Sequence, residues 1–168
     1  MRNCLCLDPS LTGFGWSVII GDLIKDFGCI SSKKDSTKKQ KDDYIERISN
    51  IITTLNKLID DYSINLILFE IPLGSKSSLA AKALALVEGS IISMCISRKI
   101  EFKYITASEV KKRVCNNRTA EKTEILEAVK LRFDGFGDRL QKTKLKDLYN
   151  ISDSVAVFIA LEKEIKKN

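Results

Sequence analysis

The fold is decided by the stretch CLCLDPSLTGFGWSVIIGDLIKDFGCI, residues 4–30. It holds three short apolar runs, at residues 4–7, 15–20 and 23–30, with Gly21 and Asp22 as a tight turn between the second and third. Three strands joined so closely form an antiparallel meander. Asp8 closes the first strand and is followed at once by Pro9 and a glycine-bearing hairpin.

Working outward, residues 31–43 are dense in Lys, Ser and Asp without apolar periodicity, which marks a solvated connection. From Tyr44 onward Ile45, Ile48, Ile51, Ile52, Leu55, Leu58 and Ile59 recur at helical spacing, with Glu46, Lys57 and Asp60 on the polar face. Residues 64–71 form a nearly continuous apolar run carrying Glu70, the mark of a strand buried on both faces. After a loop at 74–78, in which Ser77 or Ser78 can cap, residues 79–96 are apolar almost all the way round. Such a helix needs cover on two sides, from its own sheet and from either later helices or a second copy of the chain.

Residues 102–105 read as a last strand, and Thr106 with Glu109 fits a capping box opening a short helix to Val114. Thr119 is placed to cap a helix reaching about Phe133. Gly135, Gly137 and the charges up to Asp147 read as a loop, and a final helix covers about 151–166. The order implies an α/β protein. A mixed five-stranded sheet, three antiparallel strands and then strands alternating with helices, is flanked by helices in one domain over residues 1–168.

With 168 residues and 44% hydrophobic content, the chain can bury a core without disulfide support. Histidine is absent, which excludes Ser-His-Asp and Cys-His nucleophile systems and every imidazole zinc site. The five cysteines are odd in number and sit in apolar runs, as free thiols packed in a reducing compartment do. Cys4 and Cys6 have C-x-C spacing, but no second pair follows. No signal-peptide h-region opens the chain and no apolar run reaches about 20 residues, so a cytoplasmic protein with no membrane partner is expected. The 28 Lys and Arg against 22 Asp and Glu give a net charge of +6, which favours an anionic partner, nucleic acid or an acidic membrane face.

Two acids sit in strands, Asp8 and Glu70, and a third, Asp153, opens the last helix. Burying a carboxylate without a partner costs several kcal/mol, roughly, so each needs a cation, a donor cluster or a metal. Singly, an Asx turn with Pro9 explains Asp8, an ion pair with a lysine explains Glu70, and an N-cap at Asn150 with a third-position carboxylate explains Asp153. The same spacing sets Asn150 and Asp153 on one side of a helical turn, able to grip one ion. The three acids as a set are left unexplained by these separate readings.

Taken in order, these residues resemble the RuvC family of Holliday junction resolvases, in the RNase H-like superfamily. DPSLTGFGW at 8–16 is similar to the family's first-strand Asp-Pro motif and hairpin, Glu70 to its second acid, and Asn150-Ile151-Ser152-Asp153 to its terminal acid-x-x-acid helix. Residues 106–111 and 119–122 resemble its two basic DNA-contact segments.

The resemblance implies an RNase H-like fold and a Mg²⁺-dependent endonuclease making paired nicks in branched DNA, above all four-way junctions. It implies two Mg²⁺ ions, replaceable by Mn²⁺, with Asp8 bridging, Glu70 on one, and Asp153 and Asn150 on the other. It implies phosphate contacts at Lys111 and Lys122, with Lys112, Arg113 and Arg118 nearby, and a loop of Leu73, Gly74, Ser75 and Lys76 reaching the junction core, Leu73 as an apolar wedge. Paired cuts imply a homodimer through the apolar helix.

Two departures stand out. The first hairpin is short, as in a compact phage-like variant acting in a host bacterial cytoplasm. Asn150 stands where Asp or His is usual, and its neutral oxygen ligates a hard cation without contributing charge. That asparagine motivates an alternative reading, a junction-binding protein with weakened or lost nuclease activity. A third reading, an actin-like or sugar-kinase-like phosphate binder, requires a second lobe that 168 residues cannot hold.

Overall fold

The computed structural model describes residues 2–71, 77–141 and 143–166. Strands β1 (Asn3–Asp8), β2 (Gly13–Ile20) and β3 (Leu23–Ser31) form the expected meander. Gly21, at φ 62°, occupies the left-handed conformation its turn requires. Strands β4 (Leu66–Ile71) and β5 (Glu101–Thr106) extend the sheet from the other side of β1 in parallel, giving the order β3-β2-β1-β4-β5.

Helices cover both faces. On one lie α1 (Gln40–Asp61) and α2 (Ser78–Arg98). On the other lie α3 (Ala107–Cys115), α4 (Lys122–Arg132), the short α5 (Phe136–Arg139) and the long α6 (Leu145–Ile165). The two-residue period of β1 divides its side chains between the layers: Leu5 and Leu7 pack under α1 and α2, Cys4 and Cys6 under α6. That alternation sends Asp8 to the α6 side.

Several boundaries differ from the sequence reading. α6 begins at Leu145, so Asn150 is an interior residue and not an N-cap. Leu148 and Tyr149 extend the apolar face onto the core, Lys146 is exposed, and Asp147 accepts from the Ser31 hydroxyl of β3 at 3.1 Å. Glu121, not Thr119, caps α4, through a capping box with Glu124, while the Thr119 hydroxyl donates to Asn117 at 2.9 Å and belongs to the preceding turn. Ser77 accepts from the Ala80 amide, and the Thr106–Glu109 box is present as expected.

The connection at 31–43 is not wholly solvated. α1 starts at Gln40, and its buried stripe runs through Asp43, Arg47, Ile51, Leu55, Leu58 and Ile59, leaving Ile45 67% exposed. Asp43 accepts from the Asp35 amide at 2.9 Å and pairs with Arg47 at 3.1 Å. By length and composition α2 could cross a bilayer, contrary to the expectation that no apolar run is long enough, because its few polar residues are scattered. Here Ala83, Val87, Ile91, Met94 and Cys95 face the core, while Leu79, Leu86 and Ile96 are exposed. All five cysteines are free, and Cys4, Cys6 and Cys95 are buried.

Candidate active site

β1 and β4 run parallel with Leu7 opposite Phe69. Asp8 and Glu70, the next residue on each, therefore emerge side by side at one end of the sheet on the α6 face. Asp153 reaches the same place because α6 lies unusually close to β2. Gly15 pairs with Asp8 across the hairpin, and a Cβ on Gly15 would stand 2.0 Å from the Asn150 carbonyl oxygen. One residue beyond Asp153, the buried Ser154 and Ser17 hydroxyls share a hydrogen bond at 3.1 Å, tying helix to strand.

The result is a cavity of about 180 Å³ lined by Asp8, Glu70, Asp153, Lys111 and Lys122, with Ala107, Val110 and Ile125 of α3 and α4 as its apolar lining. Larger grooves of about 550 and 600 Å³ run between α1 and α2, but no cluster of acids lines them, so chemistry and not volume selects the site.

Its electrostatics are those of an acid cluster short of positive charge. Burial, then the Asp153 and Glu70 carboxylates, hold Asp8 well above the usual carboxylate range, with Lys122 pulling the other way. Burial and Asp153 push Glu70 up to about 7 against the opposing pull of Lys122 and Lys111. Burial also raises Asp153, although Lys122 donates to it at 2.9 Å. Burial opposes the charge on Lys122, but the three carboxylates outweigh it and raise the ammonium.

Desolvated, mutually repelling carboxylates suit a hard divalent cation, which asks for oxygen ligands and supplies the missing charge. Among the described residues no three Cys, Asp or Glu side chains stand close enough together to ligate one ion. The acids share a cavity, with a lysine ammonium on one of them.

The other expected residues divide. Asn150 does not line this cavity. Its amide donates to the Cys29 sulfur at 3.6 Å and lies over Gly13. Lys112 donates to the Asn116 side chain at 2.7 Å, at the end of α3. Arg113 pairs with Glu164 and donates to the Ala160 carbonyl, bracing α3 on α6. Arg118 is exposed in the turn after α3. Leu73 and Lys76 lie outside the described residues.

Three supports had no separate reading in the sequence: Gly15, the Ser17–Ser154 pair, and Arg47. The Arg47 guanidinium donates to the Leu11 carbonyl at 3.0 Å and to Ser32 at 2.8 Å, holding the turn that follows Asp8. The signal for Gly15 was the Gly-x-Gly inside a strand, which marks close backbone approach. For Arg47 it was a lone cation beside an apolar stripe.

A mixed sheet in this order, with carboxylates at the ends of its two central parallel strands and on the helix crossing them, defines the RNase H-like class. Solved structures agree. T. thermophilus RuvC in complex with a Holliday junction substrate superposes with a TM-score of 0.79 over 99% of this chain and 96% of that one, at 12% identity. The yeast mitochondrial Holliday junction resolvase Ydc2 gives 0.71 over 99% and 81%, at 11% identity.

The family model for crossover junction endodeoxyribonuclease RuvC matches residues 4–160. The crossover junction endodeoxyribonuclease RuvC of Rickettsia akari is 30% identical over 131 residues, 78% of this chain and 82% of the relative. That of Rickettsia felis is 30% identical over the same length, with 78% and 83% covered. The chain belongs to the RuvC family of crossover junction endodeoxyribonucleases, the Holliday junction resolvases.

Proposed function

We propose that Asp8, Glu70 and Asp153 are the catalytic carboxylates of this resolvase and that together they hold Mg²⁺, two ions in the working site, with Mn²⁺ able to substitute. The observation that carries this is the convergence of three acids from β1, β4 and α6 on one cavity, desolvated and facing, among the described residues, two lysines. Bound there, the ions supply what a histidine-free chain lacks, activation of water and stabilisation of the leaving oxygen.

The remaining roles follow from position. Asp8, which feels the charge of both other acids, would be the ligand common to the ions, with Glu70 and Asp153 completing the set. Asn150 serves chiefly through its backbone, which sets α6 against Gly15, and its side chain would have to leave Cys29 to ligate. Lys111 and Lys122 at the cavity edge, with Lys112 and Arg118 outside it, neutralise the phosphates of a four-way junction. For Leu73 and Lys76, the resemblance alone supports a part in reaching the junction core.

A homodimer would supply the paired cuts, assembled on α2, where Leu79, Leu86 and Ile96 are exposed and Leu86 lines the groove shared with Ile45, Ile48 and Ile52 of α1. A cytoplasmic protein meets branched DNA without crossing a membrane.

The test is a labelled four-way junction incubated with Mg²⁺, nicks being mapped on every strand. The wild-type chain should give symmetric paired nicks, and Asp8→Asn should bind the junction without cutting. Cutting by Asp8→Asn would remove the assignment. Wild-type binding without nicks at any Mg²⁺ or Mn²⁺ concentration would favour the alternative, a junction binder whose site Asn150 has weakened.

A further inference from the structure

The mechanism asks only that Lys122 contact a phosphate, yet the structure gives this side chain a different occupation. Its ammonium sits on Asp153 at 2.9 Å and about 6.0 Å from the centre of the Tyr149 ring, one turn earlier on α6. Lys122 is also the first residue of α4. A lysine there opposes the helix dipole, which favours acids in the first turn. The Asp153 carboxylate offsets that cost, and the stem still leaves the side chain 55% exposed. The ammonium is held at one end by the acids and free to leave on the other side.

Asp153 is one of three ligands in the reading above, and Lys122 holds one of its two oxygens, so an ion approaching that oxygen meets the ammonium's charge. We propose that Lys122 is the resident counter-ion of the metal-free site, competing with the divalent cation for Asp153 and released as a phosphate-binding group when the cation loads. This rests on the three-carboxylate reading. The consequence is a coupling: whatever draws Lys122 outward, a DNA phosphate above all, opens Asp153 to the metal, and by reciprocity metal loading prepares the lysine for DNA. Lys111 lines the same cavity without an ion pair to any of the three acids among the described residues, so it acts on them only through space.

Calorimetric titration of metal-free protein with Mn²⁺, without DNA, tests this in four variants. Lys122→Gln should bind Mn²⁺ about tenfold more tightly than wild type, the equivalent of one lost charge-assisted hydrogen bond. Lys111→Gln, which removes the same charge but no ion pair, should gain clearly less. Equal gains in the two variants, or none in Lys122→Gln, would overturn the competition. In parallel, the Lys122 ammonium resonance of metal-free protein should shift as Mg²⁺ is added and its bond to Asp153 breaks; an unchanged resonance at saturating Mg²⁺ would also overturn it. Asp8→Asn and Asp153→Asn separate the two failures. If neither weakens Mn²⁺ binding, the carboxylate site itself is wrong; if both do and Lys122→Gln gains nothing, only the role of Lys122 is.

Discussion

The carbonyl oxygen of Asn150 stands where a side chain on Gly15 would have to go, 2.0 Å from the position of its Cβ. Because Gly15 is the hairpin partner of Asp8, and Asn150 lies one turn before Asp153, this contact sets how near the two acids come.

Gly15→Ala should therefore push α6 off the sheet. The atom it meets is backbone and cannot rotate away, so the cost should be at the upper end of the roughly 1–3 kcal/mol usual for overpacking. The expected outcome is a lowered unfolding midpoint together with loss of junction cleavage. Wild-type activity in this variant would show that the helix tolerates a displaced register.

The Ser17–Ser154 bond positions the same helix by polar means. Both side chains are buried, and the Ser154 hydroxyl also bonds the Ile151 carbonyl at 2.7 Å, so Ser154→Ala, which removes both bonds and leaves Ser17 short of one, should cost about 1–3 kcal/mol and Ser17→Ala less. The double variant should be less destabilised than the sum of the two. A double-mutant cycle from urea titrations reads the coupling, and strict additivity would deny the pair a joint role.

The raised acids make a pH prediction for metal-free protein. Glu70 titrates at about 7 in the fold against 4.5 when exposed, so the folded state keeps its proton longer. Its contribution is most favourable below about pH 4.5 and is lost as pH rises through 7. Stability measured by denaturant should fall across that window, Glu70→Gln should flatten the slope, and saturating Mg²⁺, binding the ionised carboxylates, should reverse it. The lowered acids Glu109 and Glu162 act below this window and do not obscure it.

Arg47 holds the turn after Asp8 through the Leu11 carbonyl and Ser32, and pairs with the buried Asp43. Arg47→Met should leave Asp43 without its cation and the turn without its clamp. A drop in thermal midpoint larger than that of Lys57→Met, which breaks an exposed pair on the same helix, is the expected reading. Equal drops would mean the buried network contributes nothing beyond a surface ion pair.

The strands and the acids were legible because their signals are local. An apolar run ended by Asp8, another carrying Glu70, and the turn at Gly21 each announce themselves within a few residues. What was not legible depended on contacts far along the chain. The start of α6 was misplaced because Lys146 and Asp147 look like loop composition until Leu148 and Tyr149 are seen against the core. The expected pairing of Asn150 with Asp153 on one ion followed from spacing and from the family resemblance, whereas the asparagine amide turns to Cys29 on β3. Lys122 was legible as a cation near the site, but its bond to Asp153 spans 31 residues and no spacing rule encodes it.

α6 runs unbroken for 21 residues, about 30 Å, and is fastened at both extremities. Towards its beginning Gly15 and Ser17 receive it; at its other end Glu162 meets Arg132, and both Arg132 and Lys166 reach Asp22 in the turn between β2 and β3. A rigid beam pinned at two points does not pivot. Disturbances remote from the acids, at Asp22 or Arg132, should consequently be felt as misalignment of Asp153, which makes the far end of the molecule a tuning screw for the near one.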